Sequence, residues 1–523
     1  MALIVAFSLC CICNISIAIA SSHVVVPLFS GKHTVTPLEI GLILVPRVTM
    51  MLVSWFCFLL FSISLSWFEK EPVLWLPDFM NDHVYPTVDI FLPRYKEEWN
   101  LYEATVGAAL AIDYPPHLLN VYICDDGSRA APIMTHLIPY LHGHTNLHYL
   151  SRSDGLDAKA GNMNNALRHS FSELIVVLDA DHCAHPNFLL RTIPHLLVTN
   201  RYNNYEVSSK IAFVQTTQVF HNARERLVRM LDGSHMVFYR LMMASYSGMG
   251  CSPCVGTGYV MQRRALEDIG GSYVAGCAVE DIVTGLAMHD KGWSSKYLDC
   301  ELVIGLSPAT LSEFYLQRER WVAGSAQLLI YKNPLRMRNM ALQQRLAYVV
   351  GSWYWLVILG LMALLVVRIL LWAVFRIVSG VHTNLWLPSI AEYAPVYLAL
   401  LVLPNITMEG KVANLVAVFT FFPTYISVFS GWLVGTLNPN KHSFKVTSAA
   451  EAFGDSWPSL ATYNVTFVVC MCALFGLMWI PQLHLIHTTL DIVVPSAVLC
   501  WTLIVNFPVL YVLMIKVFRF VTH

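Results

Sequence analysis

Four short stretches place charged side chains where chemistry could use them. Asp125 and Asp126 close the run VYICDDGS at residues 121–128. A carboxylate pair at the end of a strand can accept hydrogen bonds from a uracil or ribose edge, although DDG alone is also an ordinary turn signal. Asp179 and Asp181 flank Ala180 in LIVVLDADH. Residues two apart in an extended chain point the same way, so both offer hard oxygens to one Mg²⁺ or Mn²⁺ ion, which keeps positions free for substrate phosphates. Glu280 and Asp281 lie in AVEDIVTGLAMHDKGW. At a helix start, adjacent side chains diverge by about 100°. Asp281 can then act as general base on an acceptor hydroxyl, with Glu280 as its anchoring partner in a candidate catalytic pair.

The fourth stretch is LQRERWVAGS, residues 316–325. On a helix, Gln317, Arg320 and Trp321 share a face. Gln317 can donate a hydrogen bond, Arg320 can neutralise a departing diphosphate, and Trp321 offers a flat surface for a sugar ring. An interfacial Trp/Arg anchor is the simpler reading of this stretch taken alone. A further basic candidate is Lys159 in DAKAGNMNN, which can meet a phosphate or a sugar hydroxyl, beside Gly161 and Asn162. Cys251 and Cys254 form a lone CxxC, short of the ligands a zinc site needs.

These groups require an α/β scaffold. VDIFLP at 88–93 is a continuous apolar run, as in a strand buried on both faces. A helix is expected near 101–112, a second strand at 121–128, a helix near 161–170 and a third strand at 174–182. Strands alternating with helices predict a mostly parallel sheet, with ligands beyond its carboxyl ends. Both acidic clusters fall at such ends.

The rest of the chain is apolar. Of 523 residues, 56% are hydrophobic and only 13% charged, against roughly 25% in an average globular chain. Net charge is -1, which argues against a nucleic-acid partner. Spans need roughly 20 apolar residues, and candidates are 1–20, 40–67, 352–378, 394–408, 463–480 and 492–517. The stretch 411–437 holds Pro423, Gly431 and Gly435 and is read as interfacial or re-entrant. Residues 1–20 are read as a span rather than a signal peptide ending at SIAIASS, because no Lys or Arg precedes the apolar run. Lys and Arg gather at 318–345 and 516–519, which puts that side in the cytoplasm, where the cysteines stay reduced.

Paired acids, DxD, ED and QxxRW, followed by apolar chain, resemble the processive family 2 glycosyltransferases: cellulose, chitin and hyaluronan synthases. The likeness extends furthest to the cellulose synthases, from about residue 85 to 460. It includes the stretch 88–127, DAKAGNMNNAL, CVGTGYVMQRRAL at 254–266, QLLIYKNPL, and FKVT at 444–447. The resemblance implies a Rossmann-like GT-A α/β domain in the cytosol at 78–334, inserted into an α-helical transmembrane domain. Residues 1–77 would carry two spans; 335–523 would carry interfacial helices, a gating-loop-like segment and about four spans. It further implies a UDP-sugar donor, UDP-glucose above all, and a growing β-glucan acceptor of cellulose type, secreted through the enzyme's own channel in the plasma membrane.

By the same resemblance, Asp125, Asp126, Lys159, Asp179, Gln317 and Arg320 bind the donor, and Asp179 and Asp181 the metal. Trp321, Cys254, Gly256 and Thr257 hold the acceptor, and Phe444, Val446 and Thr447 belong to the gating loop. This sequence departs from the family pattern at three places. Ala449 stands at the gating-loop Lys position, Val279 replaces the Thr of TED, and a QTP-type segment reads QTTQ at 215–218. Neither a carboxyl-terminal cyclic-di-GMP-binding domain nor an amino-terminal zinc-binding domain is expected. A β-1,3- or mixed-linkage glucan synthase, a chitin- or hyaluronan-type synthase and a lipid-linked sugar transferase remain alternatives. The sequence leaves oligomeric state open.

Overall fold

The computed structural model describes residues 67–76, 85–95, 97–126, 130–199, 205–224, 238–308 and 311–352, with isolated residues 433, 436 and 437. Nearly all of the expected spans, and Phe444, Val446, Thr447 and Ala449, lie outside the described residues. Among the described residues no helix is long and apolar enough to cross a membrane.

The sheet opens on β1 (Val88–Arg94), buried along almost its whole length as its apolar run requires. Helix α1 (Trp99–Leu110) follows and ends ahead of the Pro115–Pro116 pair. Strand β2 (Leu119–Asp125), helix α2 (Ala130–Gly143), β3 (Leu147–Ser151), helix α3 (Ala158–Arg168) and β4 (Leu174–Val177) complete the first half. The second half adds β5 (Cys183–Ala184), a small antiparallel pair of β6 (Leu197–Thr199) and β7 (Tyr205–Val207), then β8 (Ile211–Phe220) and β9 (Tyr259–Gln262). Helix α4 (Glu280–Asp290), β10 (Ser294–Gly305) and helix α5 (Leu311–Tyr331) close it.

The main sheet has eight strands in the order β3-β2-β1-β4-β9-β8-β10-β5. Strands β3, β2, β1 and β4 pair in parallel; β9 and β5 run against their neighbours, and β10 is parallel to β8. The expected mostly parallel sheet is present, with one reversed strand, β9, set in its middle. That reversal brings the loop before β9 to the same edge as the carboxyl ends of β1, β2 and β4.

The two ends of the sheet treat their acids differently. Asp89, near the amino end of β1, is fully buried, and its oxygens accept from Ser172, Asn120 and Arg263. A buried charge so completely paired is structural. At the opposite end, the strand expected over 174–182 stops at Val177, so DAD sits in the turn beyond it. Alternation along an extended chain therefore does not orient Asp179 and Asp181; the turn does.

Two further attachments frame the domain. The segment 67–76 lies across it through Glu71, which accepts from Lys296 Nζ at 2.9 Å and Ser247 Oγ at 3.2 Å. Burial alone would raise the Glu71 pKa, but His195 and Lys296 lower it to about 2. On the other side, residues 342–352 form a helix pinned to α4. Buried His289 contacts Tyr348 Oη at 2.9 Å and Ser295 Oγ at 3.0 Å, and burial holds its pKa down to about 3, so the ring is neutral.

Candidate active site

The carboxyl ends of β2, β1 and β4 form one edge. Asp125 pairs in register with Arg94 across β1, and their side chains also form an ion pair at 2.9 Å. The other Asp125 oxygen accepts from Tyr149 Oη at 2.8 Å. Asp126 is gripped by both Arg152 Nε and Arg152 Nη2, the latter at 2.7 Å. The two acids are only 1% and 8% exposed. A nucleoside meeting them must approach carboxylates that are already engaged. Two strand spacings separate β2 from β4, roughly 10 Å, a distance a nucleoside diphosphate can bridge.

Arg152 does more than neutralise Asp126. Its guanidinium also donates to the carbonyls of Leu156 at 2.6 Å and Ala158 at 2.7 Å. These bonds fold the 152–158 loop, where Asp157 and Ala158 take positive φ values of 58° and 44°. A Cβ at Gly161 would strike the Leu156 carbonyl, so glycine is what lets the loop cross the first turn of α3. The loop delivers Lys159 on that first turn, three residues earlier than the helix start expected from sequence.

Lys159 is the hub. Its ammonium lies 2.5 Å from Asp179 Oδ1 and donates to the Gly256 carbonyl at 2.7 Å. Gly256 has φ +85°, and a Cβ there would fall 2.7 Å from Asp281 Oδ2 and 3.3 Å from Lys159 Nζ. Asp179, Lys159, Gly256 and Asp281 thus converge from four separate parts of the sequence. Burial would lower the Lys159 pKa, but Asp179, Glu280 and Asp281 outweigh it and raise it. Burial and the neighbouring Asp281 raise Glu280, which is 7% exposed. Burial also raises Asp281, against the opposing pull of Lys159 and Arg320. Arg320 is therefore near enough for its charge to act on both carboxylates.

The loop at 254–258 is held from two sides. Gln215, fully buried on β8, donates to the Thr257 carbonyl at 2.8 Å and accepts from the Val255 amide at 3.0 Å. Thr257 Oγ1 accepts from the Asp179 amide at 3.0 Å, joining this loop to the DAD turn. Cys254 and Cys251 are both buried free thiols, and burial pushes both well up in pKa. Among the described residues, no group of three or more His, Cys, Asp or Glu that could hold a metal ion includes them.

Asp181 turns to His182 Nδ1 at 2.7 Å. Burial opposes ionisation of Asp181, but His182 lowers its pKa. The side chains of Asp179 and Asp181, the two acids of the DAD turn, are 34% and 28% exposed. Two accessible hard-oxygen donors fit Mg²⁺ or Mn²⁺, which takes the rest of its shell from water and phosphates. Lys159 already places a cation against Asp179, so this carboxylate is built to meet positive charge.

Helix α5 carries QxxRW as expected. The cation stacked on Trp321 is Arg318, with its guanidinium 4.3 Å from the indole centroid and 4.6 Å from Phe314. Arg318 is 2% exposed and was not a candidate from sequence; the i, i+3 spacing to Trp321 was the available signal. Gln317 Oε1 is buried and meets no hydrogen-bond partner among the described residues.

Residues 86–324 match the family model "Glycosyltransferase like family 2", and residues 267–412 match "Cellulose synthase". The chain is 32% identical over 309 residues to the cellulose synthase 1 catalytic subunit (UDP-forming) of Komagataeibacter xylinus, covering 58% of this chain and 39% of that protein. It is 30% identical over 274 residues to the cellulose synthase catalytic subunit (UDP-forming) of Xanthomonas axonopodis pv. citri (strain 306), covering 51% and 35%. The matched region thus spans well under half of these relatives. Among solved structures, the mannosyltransferase PcManGT from Pyrobaculum calidifontis, in complex with GDP-Man and Mn²⁺, superposes with a TM-score of 0.52. At 15% identity, over 75% of this chain and 98% of that one, it shares the GT-A-like fold.

Proposed function

From the premise that this chain carries a family 2 glycosyltransferase domain continuous with cellulose synthase sequence, we propose that it is a membrane-embedded, inverting polysaccharide synthase. It transfers glucose from UDP-glucose to the non-reducing end of a β-1,4-glucan. The observation that carries this reading is the convergence of Asp179, Lys159, Gly256 and Asp281 at one sheet edge.

Asp281 takes the proton of the acceptor hydroxyl, whose oxygen attacks the anomeric carbon from the face opposite UDP. A new glycosidic C–O bond forms as the bond to the diphosphate oxygen breaks, and UDP leaves with inversion. Lys159 and Arg320 offset the charge that gathers on the diphosphate, a preorganised electrostatic contribution. The uridine lies along the edge towards Asp125 and Asp126. Trp321 and the loop of Cys254, Gly256 and Thr257 orient the acceptor sugar. Glu280, beside the base, holds the start of α4.

Asp179 and Asp181 are the residues that would hold Mg²⁺ or Mn²⁺. When bound, the ion supplies Lewis-acid neutralisation of the diphosphate. Excess EDTA is therefore expected to stop transfer and added Mg²⁺ or Mn²⁺ to restore it, measured as UDP release; full activity in EDTA would remove the metal role. The apolar segments outside the described residues would form the channel, with the catalytic domain in the cytosol of a plasma-membrane protein, and Phe444, Val446 and Thr447 would lie in its gating loop. Purified protein given radiolabelled UDP-glucose, UDP-N-acetylglucosamine and UDP-glucuronate should yield glucan cut by a β-1,4-specific glucanase. Lipid-extractable product, or polymer resistant to that enzyme, would select another acceptor or linkage.

A further inference from the structure

The half of the site on α4 and the half on α5 must stand at a fixed separation, because one carries the base and the other the leaving-group cation. Arg320, Gly324 and Gln327 fall four and three residues apart, on one stripe of α5. That stripe meets residues 277–281 in antiparallel register. Arg320 acts on Glu280 and Asp281. One turn on, Gly324 faces Val279, and a Cβ at 324 would come within 2.5 Å of Val279 Cγ1 and 2.6 Å of Cγ2. One turn further, Gln327 Oε1 accepts from the Ala278 amide at 2.9 Å and from Cys277 Sγ at 3.3 Å. Gln327 is 2% exposed, Ala278 6% and Val279 5%, so this contact is closed to water.

We propose that Gln327 and Gly324 are positioning residues that set the depth at which Asp281 stands opposite Arg320. The Gln327 carboxamide fixes the chain just before α4 by its backbone amide, and the Gly324 notch seats the Val279 side chain beside it. The two contacts leave the first turn of α4 no freedom to slide along α5. Val279, which stands where the family pattern has Thr, is the residue whose shape the notch fits: two branches on Cβ fill it. The inference rests on Asp281 being the base.

The test uses the full chain in detergent or nanodiscs. Gln327→Leu, which keeps bulk and loses the acceptor oxygen, is expected to lower kcat by about ten- to a hundredfold, the cost of misplacing a catalytic group by an ångström or so. UDP affinity and donor KM should stay within a factor of about three, since Asp125, Asp126 and Asp179 are untouched. Gly324→Ala should lower kcat similarly, and Gly324→Ala combined with Val279→Ala, which empties the notch, should recover most of the loss. Bound UDP shows in each case that the protein is folded. Wild-type kcat in Gln327→Leu and Gly324→Ala, a parallel fall of kcat and UDP affinity, or no recovery in the double variant would each overturn the positioning role. These outcomes are separate from failure of the underlying reading, which shows as normal transfer by Asp281→Asn.

Discussion

On the proposed mechanism, Asp281→Asn is expected to abolish sugar transfer while leaving UDP binding in place. The amide has the size of the carboxylate, so the close approach to Gly256 is kept and the loop is not displaced. What is lost is the acceptor for the hydroxyl proton, and general-base catalysis contributes about a hundred- to ten-thousandfold. Asp281 also acts on Lys159, raising its pKa, so the substitution removes one of the carboxylates that keep this ammonium charged; Asp179 and Glu280 remain. Nucleotide affinity should change by no more than about threefold. UDP-sugar turnover beside UDP titration on the same preparation decides the matter, and turnover near wild type would take the base role from Asp281.

Lys159→Met should be nearly as damaging, and for two reasons that can be separated. It removes the positive charge facing the Asp179 carboxylate and the Gly256 carbonyl. Loss of one preorganised charge donor typically costs about a hundred- to a thousandfold. It also changes the pH profile in a defined direction. Burial raises Asp281, and Lys159 opposes that rise. Without the ammonium, Asp281 takes up its proton at higher pH. A protonated base cannot act, so activity is lost earlier as pH falls and the acid limb moves upward. An acid limb that stays in place, with kcat/KM intact, would show that Lys159 does not face the reacting groups.

Asp125, Asp126, Lys159, Glu280 and Asp281 were legible because each lies at the end of a strand or the start of a helix, whereas QxxRW, in the middle of α5, was legible from its helical spacing alone. Continuous apolar runs revealed β1, β2 and β4. They did not reveal β8, whose buried centre is the polar QTTQ, nor β10, where a register shift between Leu298 and Val303 breaks alternation. QTTQ marked Gln215 in the sequence, but not its burial or its role, because its partners, Val255 and Thr257, lie some forty positions away. The same holds for Gln327 and for Arg152: their value comes from backbone groups they hold, and backbone groups have no letter in a sequence. Lys159 was found as a candidate, but its approach to Gly256, 97 positions along, was not.

The left-handed turn at Gly256 restricts how such a protein could be re-tailored to a different sugar chain. Any side chain introduced there collides with Asp281, and Thr257 is committed to the Asp179 amide. Val255 offers its amide to Gln215, and its partly exposed side chain packs on the cluster that includes Tyr239 and Val279. If this loop meets the acceptor as proposed, position 255 is the first place for an engineer to build a library.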